Sequence, residues 1–154
     1  MRPFLFVLLV LTLLLVACSA PRPPAYSVAM FPPSARPQGE RDGRAGVIRL
    51  HPRLLEDTAL IRHVCAHEMG HAIGVPHGPP GTIMAAGHAA GEPLIDHLTP
   101  EEVRAARPQA GPIRLTPLPQ VPPRIVNGLR WGAGLWNGAL KRPVFEVCPA
   151  ADGG

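Results

Sequence analysis

His67-Glu68-Met69-Gly70-His71-Ala72-Ile73-Gly74-Val75-Pro76-His77 is the stretch on which the reading of this chain turns. On a helix, residues four apart lie about 40° from one another around the axis, one turn above each other, so His67 and His71 can reach a single ion. Glu68 stands about 100° round from His67, angled away from ligation but close enough to face a water on that ion, the position of a base. Gly74 can take the left-handed conformation that ends the helix, which lets His77 turn back and supply a third nitrogen. Three neutral imidazoles that leave a fourth tetrahedral position open make a zinc site of the catalytic type, whereas a structural site is closed by a fourth protein ligand. Five residues fixed in register make the pattern far more specific than two histidines alone.

Upstream, the spacing predicts that this helix begins with Asp57 or Thr58 as its cap and runs to Ile73. Leu60, Ile61, Val64, Cys65, Met69, Ala72 and Ile73 wrap most of its circumference, which places it inside a domain rather than on a surface. Before it, Gly46-Val47-Ile48-Arg49-Leu50 reads as a strand ended by Pro52, and Tyr26 to Phe31 as a short edge strand. Downstream, Leu98-Thr99-Pro100-Glu101-Glu102-Val103 has an N-cap Thr, a Pro in the first helical position and a Glu three residues after the cap. That is a capping box, and it opens a second helix. Pro108, Pro112, Pro117, Pro119, Pro122 and Pro123 then predict an extended connection, followed by helix around Leu129 to Leu140 and strand from Val144 to Val147.

The motif HExxHxxGxxH, met by His67, Glu68, His71, Gly74 and His77, resembles that of the metzincin zinc metallopeptidases. Thr82-Ile83-Met84 is similar to the family's Met-turn, and Leu98 to Val103 to the start of a matrixin-like third helix. The resemblance implies one catalytic Zn2+ held by His67, His71 and His77, Glu68 as general base, and Met84 packed beneath the metal without ligating it. It also implies an α+β fold, a minimal zincin domain whose small twisted sheet packs on the active-site helix and a C-terminal helix. Gly78 stands where matrixins usually carry Ser, and Tyr26, the only tyrosine, lies far before the motif, so a metal-facing tyrosine after the Met-turn is absent. The family's first helix and several strands normally precede the motif, yet fewer than fifty residues separate Cys18 from His67 and many are proline-rich. Arg124 to Asn137, with Trp136-Asn137, followed by Arg142 to Val147, looks like that first helix and its strand. The chain is thus expected to be either a circularly permuted metzincin or a minimal core with an amphipathic tail packed on it. The permuted reading requires strand 144–147 to lie in the main sheet.

At the N-terminus, Arg2 and an apolar run from Phe4 to Ala17 form a secretory signal, too short for a membrane span of about 20 residues. Leu15-Val16-Ala17-Cys18 resembles a bacterial lipobox, in which the cysteine is acylated; the other reading is an ordinary cleaved signal with a nearby cysteine. The lipobox implies a bacterial cell-envelope lipoprotein, membrane-anchored through Cys18. Ser19 in place of the retention aspartate points to the outer membrane, or a periplasm-facing position, if the cell is Gram-negative. Cys65 and Cys148 would then sit in a compartment that permits a disulfide, and could pair or remain two buried thiols.

Of 154 residues, 46% are hydrophobic, which excludes a wholly disordered chain; 21 Pro and 16 Gly exclude one that is compact from end to end. The formal charge of +4 comes from scattered arginines with no run of five like charges, so no nucleic-acid partner is expected. The expected organisation is a signal peptide at 1–17, a proline-rich tether at 18–45, a zinc-binding core at 46–107, a linker at 108–123, a helix and strand packing back at 124–148, and a tail at 149–154. His63 reads as a partly exposed helix residue or a group supporting the ligands, His51, His88 and His97 as solvated loop residues, and Trp131 and Trp136 as core. The function expected is a monomeric zinc endopeptidase acting on peptide or protein substrates. The alternative is a catalytically silent lipoprotein in which zinc only stabilises a binding or structural module.

Overall fold

The computed structural model describes residues 25–30, 46–50, 56–87 and 92–149. The expected signal peptide, Cys18, most of the tether, His51, His88 and the tail beyond residue 149 lie outside the described residues. Within them the chain is α+β, in the order β1 (Ala25–Met30), β2 (Val47–Leu50), α1 (Thr58–Ala72), α2 (Pro100–Ala105), β3 (Ile113–Pro117), α3 (Pro123–Leu140) and β4 (Phe145–Val147).

The four strands form one wholly parallel sheet in the order β2-β1-β3-β4. Val28 pairs with Ile48 on one side and Pro117 on the other, Tyr26 with Leu115, and Ile113 with Phe145. Because side chains alternate along a strand, this register gathers Ile48, Leu50, Val28, Ile113, Leu115 and Phe145 on one face, where all are buried. The opposite face carries Arg49, Arg114 and Glu146, all exposed, with Arg114 Nε 3.7 Å from Glu146 across the strands. Parallel sheets are ordinarily buried on both faces. Among the described residues this one is covered on one, giving a two-layer domain.

Two sequence expectations change here. Strand β1 is interior, hydrogen-bonded to both β2 and β3, rather than an edge. The segment 108–123, expected as a linker, contributes β3 to the middle of the sheet. Its prolines permit this because Pro112 precedes the strand and Pro117 is its last residue. Strand β4 pairs with β3 inside the same sheet, and α3 connects the two as a βαβ crossover. Helix α3 starts at Pro123, earlier than the Leu129 read from sequence, because Pro123 fits the first turn, where its missing N–H costs nothing.

The layer over the sheet is α1 against α3. Gly128 and Gly132, one turn apart on α3, meet Ile61, Cys65, Ala66 and Met69 of α1; a Cβ at Gly132 would lie 2.9 Å from Met69 Sδ and 3.3 Å from the Ala66 backbone. The helices therefore approach nearly backbone to backbone. Trp136, fully buried, donates its indole N–H to Ala66 O at 2.9 Å and fixes the axial register of the pair. Asn137, the next residue, accepts the backbone N–H groups of Val144 (2.8 Å) and Phe145 (2.9 Å) and donates to Phe145 O (3.0 Å), tying α3 to the start of β4.

Cys65 and Cys148 are free, buried thiols, not the bridge weighed from sequence. Cys65 Sγ faces Gly128 on α3, whereas Cys148 follows β4, its N–H bonded to Leu115 O and its side chain hydrogen-bonded to Arg114. Burial, with a smaller push from the Glu68 charge, raises the Cys65 thiol from its ordinary 9.0 to about 12.

Candidate metal centre

Helix α1 supplies two of the three histidines. Asp57 caps it, its side chain accepting the N–H groups of Ala59 (2.7 Å) and Leu60 (3.4 Å), and His67 and His71 follow one turn apart near its C-terminal end. The helix stops in a Schellman turn. Val75 N–H reaches back to Gly70 O and Gly74 N–H to His71 O, both at 3.0 Å, with Gly74 at φ +81°. This reversal does two jobs. It carries the chain round so that His77 faces the helix, and it presents Val75 O to His71 Nδ1 at 2.9 Å.

The ligand atoms of His67, His71 and His77 lie within 4.8 Å of one another, a cluster that could hold a metal ion. His67 Nδ1 is 2.8 Å from Ile83 O. A ring whose Nδ1–H is held by a backbone carbonyl is fixed in tautomer and orientation, with Nε2 left to face an ion. The Nε2 atoms of His71 and His77 stand 3.1 Å apart, close to the tetrahedral edge of about 3.3 Å expected for Zn–N bonds of about 2.0–2.1 Å. The donor set, all imidazole, is one that zinc, copper, iron and nickel ions take, rather than calcium or magnesium. His67 and His71 are half-buried and His77 is exposed, so the cluster opens to solvent on one side. Glu68 follows the first ligand and is also half-buried.

Met84 is fully buried against α1, where a Cβ on Gly70 would collide with its sulfur and lie 2.9 Å from Trp136 Cζ2. Gly70, between the two helical ligands, is glycine because the turn below and the indole behind leave no room for a side chain. The turn holding Met84 is itself pinned to both ligand-bearing segments. Ile83 O takes His67, and Met84 O accepts Gly78 N–H at 2.7 Å, one residue after His77.

Several of these features escape sequence reading. The carbonyls of Val75 and Ile83 carry no sequence signal. Glu102 was read only as a capping-box residue. It fills that role, its Oε2 accepting Thr99 N–H at 2.7 Å, but it is also buried and its Oε1 accepts Met84 N–H at 2.8 Å. His63, expected to be partly exposed or to support the ligands, is buried with Nδ1 3.1 Å from Ile95 O, where the segment around Ile95 passes over that part of α1. Trp136 is core and Trp131 half-buried under Arg62, while His97 is exposed beside Asp96. Among the described residues no helix is long and apolar enough to cross a membrane. No family model, curated protein or solved structure matches the chain.

Proposed function

We propose that this protein is a zinc-dependent endopeptidase of the metzincin type, held at the cell envelope by lipid on Cys18. The observation that carries the reading is the convergence of His67, His71 and His77 on one point, with the Nδ1 atoms of both helical ligands held by backbone carbonyls and a carboxylate, Glu68, beside the first of them. A zinc ion in this cradle would supply a Lewis acid that polarises a peptide carbonyl and acidifies a water. Glu68 accepts the proton as the water oxygen bonds to the carbonyl carbon, then delivers it to the amide nitrogen as the C–N bond breaks. Cys65, two residues before His67, points to the other side of α1, its Sγ against Gly128 of α3, and so stands away from the three imidazoles. A crevice of about 330 Å³ beside His77, its apolar wall formed by Val75, Pro76, Pro79 and Ala105 and its polar side by Thr82, Thr99, Glu101 and Glu102, is available to a residue next to the cleaved bond.

The position of α3 and β4 supports the permuted arrangement. Of the segment that resembles the family's first helix and strand, β4 lies in the same sheet as β1 and β2 and α3 packs on α1, with Trp136 bonded to α1 and Asn137 to the start of β4.

The test is hydrolysis of a mixed quenched-peptide library by the zinc-loaded protein and by its Glu68→Ala form. Cleavage is expected from the parent and to fall about 10²- to 10⁴-fold in the variant, with one zinc still bound to each. Silence from both with zinc bound would instead support the reading in which the ion only stabilises a module; equal cleavage by both would remove Glu68 from the mechanism.

A further inference from the structure

We infer that Glu102 is a positioning residue for the metal cradle, coupling the docking of α2 to the geometry of the three histidines. It rests on the metal-binding part of the proposed function and not on the peptidase part. Glu102 is 5% exposed, and its two carboxylate oxygens do different work. Oε2 accepts the N–H (2.7 Å) and the hydroxyl (3.0 Å) of Thr99 and so belongs to its own helix. Oε1 leaves that helix and accepts Met84 N–H at 2.8 Å. A helix cap requires only the first of these. The second fixes the turn whose neighbouring carbonyls, Ile83 O and Met84 O, hold His67 and Gly78. Two of the three ligand segments are therefore set by a turn that is itself set by Glu102. A second tie runs the same way, for Arg107 N–H at the end of α2 bonds Ile73 O at 2.7 Å, beside the Schellman turn that orients His71 and His77.

A group bonded directly to a ligand, as Ile83 O is to His67, typically governs metal affinity by about 10- to 100-fold. Glu102 acts one step further out, through Met84 N–H, so its loss is expected at the lower end of that range. Coupling between sites is reciprocal, so an ion bound by the histidines must in turn strengthen the hold on α2.

The test uses the full chain with Zn2+ and Co2+ as probes. Glu102→Ala is expected to weaken Zn2+ binding about tenfold in competition with a chromophoric chelator and to alter the visible absorption of the Co2+ form. Thr99→Ala removes the cap but leaves the Met84 bond, and is expected to lower the melting temperature while Zn2+ affinity stays within about threefold and the Co2+ spectrum is unchanged. Equal losses of affinity in the two variants, or parent-like affinity in Glu102→Ala, would overturn the proposal. Should Glu102→Ala fail to fold, hydrogen exchange of the parent decides. Zn2+ is expected to slow exchange at the Met84, Val103 and Ala106 amides as well as within α1, and protection confined to α1 would overturn the coupling. Absence of Zn2+ binding by the parent would instead reject the metal centre itself, an outcome distinct from any of these.

Discussion

Gly70 shows how one missing carbon can serve a site it does not touch. The residue sits between His67 and His71 on the helix, and the space its Cβ would fill belongs to Met84 and the Trp136 ring. Gly70→Ala is expected to destabilise the fold by about 1–3 kcal/mol, the usual cost of overpacking a rigid core, despite the higher helix propensity of alanine. The midpoint of urea unfolding measures this, and an unchanged or raised midpoint would mean that Met84 repacks freely. Since the displaced sulfur lies in the turn that bears Ile83 O, the same variant is expected to bind Zn2+ more weakly. Cys65 makes the opposite point: a side chain next to the motif, of a metal-binding type, is fully buried against Gly128 of α3, away from the three histidines.

Among the elements, the joint between α3 and β4 depends on one side chain. Asn137 satisfies three backbone groups of Val144 and Phe145, both of which are buried and cannot turn to water. Asn137→Ala is expected to cost about 2–4 kcal/mol in chemical denaturation, since buried groups left unpaired cost about 1–3 kcal/mol apiece and part of the loss can relax. A change below about 0.5 kcal/mol would show that the joint is held by the sheet instead. The elements that were legible in the sequence are those specified locally. Asp57, Gly74 and the pair Thr99 and Glu102 act within a few residues of themselves, and each caps or stops a helix where its spacing said it would. The candidate ligands His67, His71 and His77 are readable for the same reason, being separated by one helical turn and one reversal. Strand β3 was hidden because its prolines outweighed a short alternation of Ile113, Arg114, Leu115 and Thr116, and pairing with β1 is decided by residues more than half the chain away. The second bond of Glu102 was hidden likewise, as no local pattern distinguishes a cap whose other oxygen is spoken for by a distant amide.

Across the molecule, the described residues share one core, to which the N-terminal strands and the C-terminal βαβ unit both contribute. Val28 of β1, Met69 of α1 and Trp136 of α3 are each fully buried in it. A chain ending at Arg107 would therefore lose two of four strands and the helix that covers Ile61, Cys65 and Met69. It is expected to be unfolded by circular dichroism and to show no cooperative thermal transition. A truncated chain that melts cooperatively would mean that the histidine-bearing half is a domain by itself. The Schellman turn after α1 carries a further consequence, for the order of assembly. It brings all three histidines together within eleven residues, so closing the chelate costs little chain entropy, whereas joining β1 to β3 must close a loop of roughly ninety. An ion can thus find its ligands while the sheet is still unpaired, and metal present from the start of refolding would grip the unfolded chain as well as the native one. Part of its affinity would then speed the first turn of assembly rather than deepen the final well.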